Sequence, residues 1–154
     1  MIRKNIIAIF MLFSFLLTDI GLSEEGNNFS VERDEPYEIT SENMFIEREQ
    51  KTISFSGNVI LKQGSAYLTA DQIELFFNNS FNEEGFYKML ASGNILIKNN
   101  DSTSITGNLA TYNVNDEKII ISENVVLKNQ MSMINGNKLI LDINSGKIEI
   151  FDDK

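Results

Sequence analysis

The feature that most constrains this chain is that it repeats itself. Gly57-Asn58-Val59-Ile60-Leu61-Lys62 returns as Gly93-Asn94-Ile95-Leu96-Ile97-Lys98 and again as Glu123-Asn124-Val125-Val126-Leu127-Lys128, at offsets of 36 and 30 residues. A second motif alternates with the first. Thr40-Ser41-Glu42-Asn43-Met44-Phe45-Ile46 is matched by Thr69-Ala70-Asp71-Gln72-Ile73-Glu74-Leu75, by Thr106-Gly107-Asn108-Leu109-Ala110-Thr111-Tyr112 and by Asn135-Gly136-Asn137-Lys138-Leu139-Ile140-Leu141, at offsets of 29, 37 and 29 residues. The surplus of the long interval falls in residues 78–87, a polar, Gly-containing stretch. A unit of about 30 residues cannot bury its own apolar face, so units of this size stack and share one continuous core.

The repeat reads as β structure. From Ile39 onward the chain is rich in Ile, Val, Leu, Phe and Thr and holds only four Ala, a composition that suits a half-buried pleated surface better than a helix. No stretch keeps a helical apolar stripe for three turns. Each unit is expected to hold four strand-like pieces of about 5 to 8 residues joined by turns. Alternation then assigns faces. The interior face collects Met44, Ile46, Val59, Leu61, Ile73, Leu75, Ile95, Ile97, Ala110, Tyr112, Val125, Leu127, Leu139 and Leu141. Adjoining pieces add Ile53, Phe55, Met89, Ala91, Ile119, Ile121, Ile148 and Ile150. The opposite face carries Asn58, Lys62, Gln72, Glu74, Asn94, Lys98, Thr111, Asn124, Lys128 and Lys138, interrupted by Ile60, Leu96, Val126 and Ile140. One apolar and one polar face describe an antiparallel sheet folded on itself.

Composition removes most chemistry. The 154 residues include no His, no Cys and no Trp. A Cys/His zinc site, a thiol nucleophile and a Ser-His-Asp triad are therefore excluded, and so is disulfide stapling. Against 22 Asp and Glu stand 13 Lys and Arg, a net charge of −9, which argues against a nucleic-acid partner. Paired carboxylates can hydrolyse glycosides, but nothing in the pattern sets Glu42, Asp71 or Glu74 in an apolar cleft. They read as turn and surface residues. No catalytic residue, metal ligand or cofactor is expected, and the chain does not read as an enzyme.

Two segments precede the repeat. Residues 1–23 have Arg3 and Lys4, an apolar run from Ile6 to Leu17, and small residues at Gly21 and Ser23. That is the layout of a secretory signal peptide. The twelve-residue run would span about 18 Å as a helix, short of a hydrocarbon core of about 30 Å. Residues 24–38 are polar and acidic, contain the chain's one Pro, Pro36, and are expected to form a flexible lead-in. Residues 39–154 are the expected folded domain.

The alternation of T-x-D/E-x-h-x-h with S/G-G-N-V-x-h, where h is apolar, resembles the OstA-like repeat of the LptA family, found also in LptC and in the N-terminal domain of LptD. The resemblance runs from about Ile39 to Phe151. It implies an all-β, twisted, open β-jellyroll with an apolar interior groove. It also implies a periplasmic protein of lipopolysaccharide transport, which holds lipid A acyl chains in the groove and bridges inner- and outer-membrane export components. With the face pattern, it assigns the groove to Met44, Ile46, Phe55, Val59, Leu61, Ile73, Leu75, Ile95, Ile97, Tyr112, Val125, Leu127, Leu139 and Leu141. The implied partners are lipopolysaccharide, an LptC-like inner-membrane subunit, an LptD-like outer-membrane domain and further copies joined head to tail. Edge-strand pairing would use Thr40, Met44 and Ile46 at one end and Ile148 and Ile150 at the other, where the repeat stops short of its next G-N-V strand. Two alternatives stay open: an LptC-like subunit tethered by residues 1–23, and a structural β-repeat with a sealed core.

Overall fold

A computed structural model of the chain describes residues 29, 31–32, 35–78, 85–99 and 103–152. The expected signal peptide at 1–23 lies outside the described residues. Nine strands follow in order: β1 (Tyr37–Thr40), β2 (Asn43–Glu47), β3 (Thr52–Gln63), β4 (Ala66–Phe76), β5 (Lys88–Lys98), β6 (Ser104–Asn113), β7 (Lys118–Lys128), β8 (Met133–Asp142) and β9 (Ile148–Phe151). All pairings are antiparallel, and each strand from β3 to β9 pairs with the one before it. β1 and β2 both pair with β3, on its two halves. The two therefore act as one interrupted strand at the sheet's first edge.

The four short pieces expected per repeat are joined in pairs. Gly57-Asn58, Gly93-Asn94 and Glu123-Asn124 lie in mid-strand, and all six residues have positive φ, from 46° to 81°. The ladder slips at each of them: Ser56 faces Gln72 while Val59 faces Ala70, Ser92 faces Leu109 while Ile95 faces Gly107, and Ser122 faces Lys138 while Val125 faces Gly136. Each odd strand thus carries one residue more than its neighbour, which is a β-bulge. The dipeptides that look like turns in the sequence are bends inside strands of 10 to 12 residues. On the even strands two successive residues point outward at the same level, Asp71 and Gln72 on β4. That reverses the phase of the alternation.

The line of bulges divides the sheet into two halves, and apolar rows cross each half. In one, cross-strand partners run Met44, Phe55, Ile73, Ala91, Ala110, Ile121, Leu139, Ile150, with a parallel row Ile46, Ile53, Leu75, Met89, Tyr112, Ile119, Leu141, Ile148. In the other half the row is Ile39, Leu61, Leu68, Ile97, Ile105, Leu127, Ile134. Residues of both halves belong to one hydrophobic core, so the halves face each other as two layers. Burying such rows supplies most of the drive to fold, at roughly 25 cal/mol per Å² of apolar surface.

Side chains lock the first two bulges. Asn94 Nδ2 donates to Asp71 Oδ2 at 2.8 Å, and Asn58 Nδ2 donates to Glu42 Oε1. A Cβ at Gly57 would collide with Glu42, and one at Gly93 with Asp71. The acid of one motif therefore covers the glycine of the other. Asn suits the second position because it tolerates left-handed φ and carries a donor.

Candidate functional site

The apolar space lies between the two layers at the end of the β3–β4 hairpin. It is a cavity of about 90 Å³ lined by Phe29, Val31, Tyr37, Leu61, Gln63, Ala66, Tyr67, Leu68, Phe86, Met89, Ile97, Tyr112, Ile119 and Ile143. Leu61, Leu68 and Ile97 come from one layer, and Met89, Tyr112 and Ile119 from the other. Inward positions near the strand ends place them there, with Gln63 and Ala66 one step further along β3 and β4. Aromatic rings close part of the rim. Tyr37 meets Phe86 edge-on at 5.5 Å between ring centroids, and Phe86 meets Tyr112 edge-on at 6.3 Å.

Among the described residues, no carboxylate or amine takes part in the lining. Among the described residues no group of His, Cys, Asp or Glu is arranged to hold a metal ion. Outside the cavity, around the β8–β9 turn, two ionisable groups are shifted by their neighbours. Asp142 is held below the ordinary carboxylate range, first by the Ser145 backbone N–H and then by the Ser145 hydroxyl. Lys147 is raised by its hydrogen bond to Glu149. What the cavity can do is exclude water from apolar matter.

Of the fourteen residues expected along the groove, Leu61, Ile97 and Tyr112 line this cavity. Val59, Ile73, Leu75, Ile95, Val125, Leu127, Leu139 and Leu141 are buried in the core between the layers, and half-buried Phe55 packs against them. Met44 and Ile46 stand in the inward rows but are 60% and 46% exposed. β2 is the outermost strand, and among the described residues no further strand covers it. The residues expected at partner edges stand at the two ends of the strand order: Thr40, Met44 and Ile46 on β1 and β2, Ile148 and Ile150 on β9. β9 pairs only with Lys138 to Leu141. Among the described residues the first half of β8 is an edge, with Met133 and Ile134 exposed.

Sequence reasoning overlooked part of the lining. Leu68 lines the cavity and Ile105 is buried in the core behind it, but the phase reversal at the bulge takes both out of register with the downstream motif. Phe29 falls in the expected lead-in and is only 2% exposed. The alternation Phe29-Ser30-Val31-Glu32 is the signal that could have found it.

Comparison with known proteins agrees with this geometry. The family model described as LptA/(LptD N-terminal domain) LPS transport protein matches residues 38–147. No curated protein sequence matches the chain. Among solved structures, the chain is similar to LptH from Pseudomonas aeruginosa, described as the LptA-homologous periplasmic component of the conserved lipopolysaccharide transport device. That similarity has a TM-score of 0.68 at 16% identity and covers 80% of this chain and 87% of LptH. The fold is thus the LptA-like β-jellyroll that the repeat implied. A match over residues 38–147 takes in every strand from β2 to β8 and most of β1, and the chain belongs to the LptA/LptD N-terminal domain family of lipopolysaccharide transport proteins.

Proposed function

We propose that this protein is a periplasmic carrier that shelters lipid A acyl chains between its two layers and passes them along a bridge of edge-paired jellyrolls. The observation that carries the reading is the set of apolar rows running from one sheet edge to the other. A closed core would end such rows behind covered edges. Here Met44 and Ile46 at one edge, and Ile134 at the other, stay exposed. A neighbour adding a strand to either edge by main-chain pairing would continue both the sheet and the apolar interior. Contacts that repeat head to tail without closing build a bridge rather than a ring. An LptC-like and an LptD-like jellyroll are partners of matching architecture, and further copies of the chain could lie between them.

Transport here needs no catalysis. Each acyl methylene taken from water is worth about 0.8 kcal/mol, so several per chain hold the lipid firmly. A path without charged groups presents no single deep trap. The cavity of about 90 Å³ is smaller than the ~150 Å³ that admits a benzene molecule. Uptake of an acyl chain therefore requires the layers to part at the rim.

The test is native mass spectrometry of residues 24–154 purified from a lipopolysaccharide-producing cell. The expected result is co-purified lipid A-bearing glycolipid that exchanges with added lipopolysaccharide. An empty protein that also refuses added lipopolysaccharide would favour a sealed structural β-repeat instead.

A further inference from the structure

Phe29 and Val31, ahead of β1 in the sequence, are built into the mouth of the cavity. Phe29 is 2% exposed and belongs to the hydrophobic core, and half-buried Val31 packs beside it. Both line the cavity together with Leu61 and Phe86. Two bonds join Glu32 and Glu35 to the β3–β4 turn. Glu32 Oε2 accepts from the Ser65 backbone N–H at 3.0 Å, and the Gln63 side-chain amide donates to the Glu35 carbonyl at 3.0 Å. Both bonds are exposed, so water can replace them at little cost. Gly64 leaves the space that the Glu32 side chain fills, since a Cβ there would collide with it.

A phenylalanine ring between the layers fills apolar volume of the kind an acyl chain would fill. We infer that Phe29 and Val31 form a displaceable plug, which closes the mouth of the apolar interior when no lipid is bound and leaves as an acyl chain enters. The inference rests on the carrier reading above. It supplies what a transient carrier needs: an empty state that keeps its apolar interior out of water, and a competitor that lowers the cost of letting the lipid go. Competition for one volume also sets the direction of the effect. A protein that must first expel its own plug binds lipid more weakly, by the fraction of molecules that are open.

The absence of Trp from the chain makes the test direct. In the full chain carrying Phe29→Trp, the single indole should emit at the blue, apolar end before lipid is added. Purified lipid A should shift that emission to the red and raise its quenching by acrylamide. Binding is followed independently by native mass spectrometry. Bound lipid A with an unchanged, unquenched indole would overturn the plug while leaving the carrier reading intact. No bound lipid A with either the Trp variant or the unmodified chain would overturn both. A second variant guards against a misplaced indole. Phe29→Ser should bind lipid A about tenfold more tightly than the unmodified chain, and equal or weaker binding would overturn the plug.

Discussion

At the residue scale, the repeat motif is a device for bending a strand. Gly93 has a φ of 77° and sits under the Asp71 carboxylate. A side chain there meets both a left-handed backbone and a collision. Gly93→Ala is expected to lose about 1–3 kcal/mol, measurable as a lower urea midpoint. Asn94→Ala should cost about 1 kcal/mol through the lost hydrogen bond to Asp71. The third bulge shows that the glycine is replaceable when its cover changes. Glu123 takes the position of Gly57 and Gly93 with a φ of 64°, and Asn108 takes the position of Glu42 and Asp71. The motif was legible as a repeat but not as a bend. Gly-Asn is a common turn signal, and only the acid on the neighbouring strand, 16 or 23 residues away, distinguishes a bulge from a turn.

At the scale of elements, the last strand depends on its turn. Asp142 Oδ1 accepts from the Ser145 N–H at 2.9 Å, and the Asp142 carbonyl accepts from the Gly146 N–H at 2.8 Å. The Asp142 carboxyl titrates lower in the folded chain than in the unfolded one. Its contribution is therefore present above the ordinary carboxylate pKa and is lost as the pH falls through the folded value, below about pH 4. Hydrogen exchange at Ile148 to Phe151 should quicken below that pH, and Asp142→Asn should quicken it at neutral pH and remove the dependence. Unchanged exchange in the variant would contradict the account of the turn. Strand existence could be read from the sequence for β3 to β8, because Ile, Val and Leu alternate there, but phase could not be read for the first halves of β4 and β6, where the bulge reverses it and hides Leu68 and Ile105. The segment around Phe29 offers only the short alternation Phe29-Ser30-Val31-Glu32 inside a polar, acidic stretch, and the burial of its two apolar positions is decided by the distant β3–β4 hairpin.

At the scale of the whole molecule, two apolar layers end in two edges that no described strand covers, and edge and interior should be separable by mutation. Met44→Lys places a charge on the outermost strand, where lysines discourage strand addition. It should weaken pairing with a neighbouring jellyroll, read by analytical ultracentrifugation, while lipid A uptake changes little. Equal losses in both would contradict the division of labour. Interior changes behave differently. Leu75→Ala, at a position that is 2% exposed, should lower stability by about 2–5 kcal/mol. The central claim is that acyl chains travel between the layers, and adjacent residues on opposite faces of β3 test it most directly. A photocrosslinking amino acid is placed at Leu61, which lines the cavity, or at Ile60, its aliphatic neighbour on the outer face. Both variants are irradiated in cells that make lipopolysaccharide. The account predicts lipopolysaccharide adducts from position 61 and few from position 60; equal labelling at the two, or labelling at position 60 alone, would contradict it.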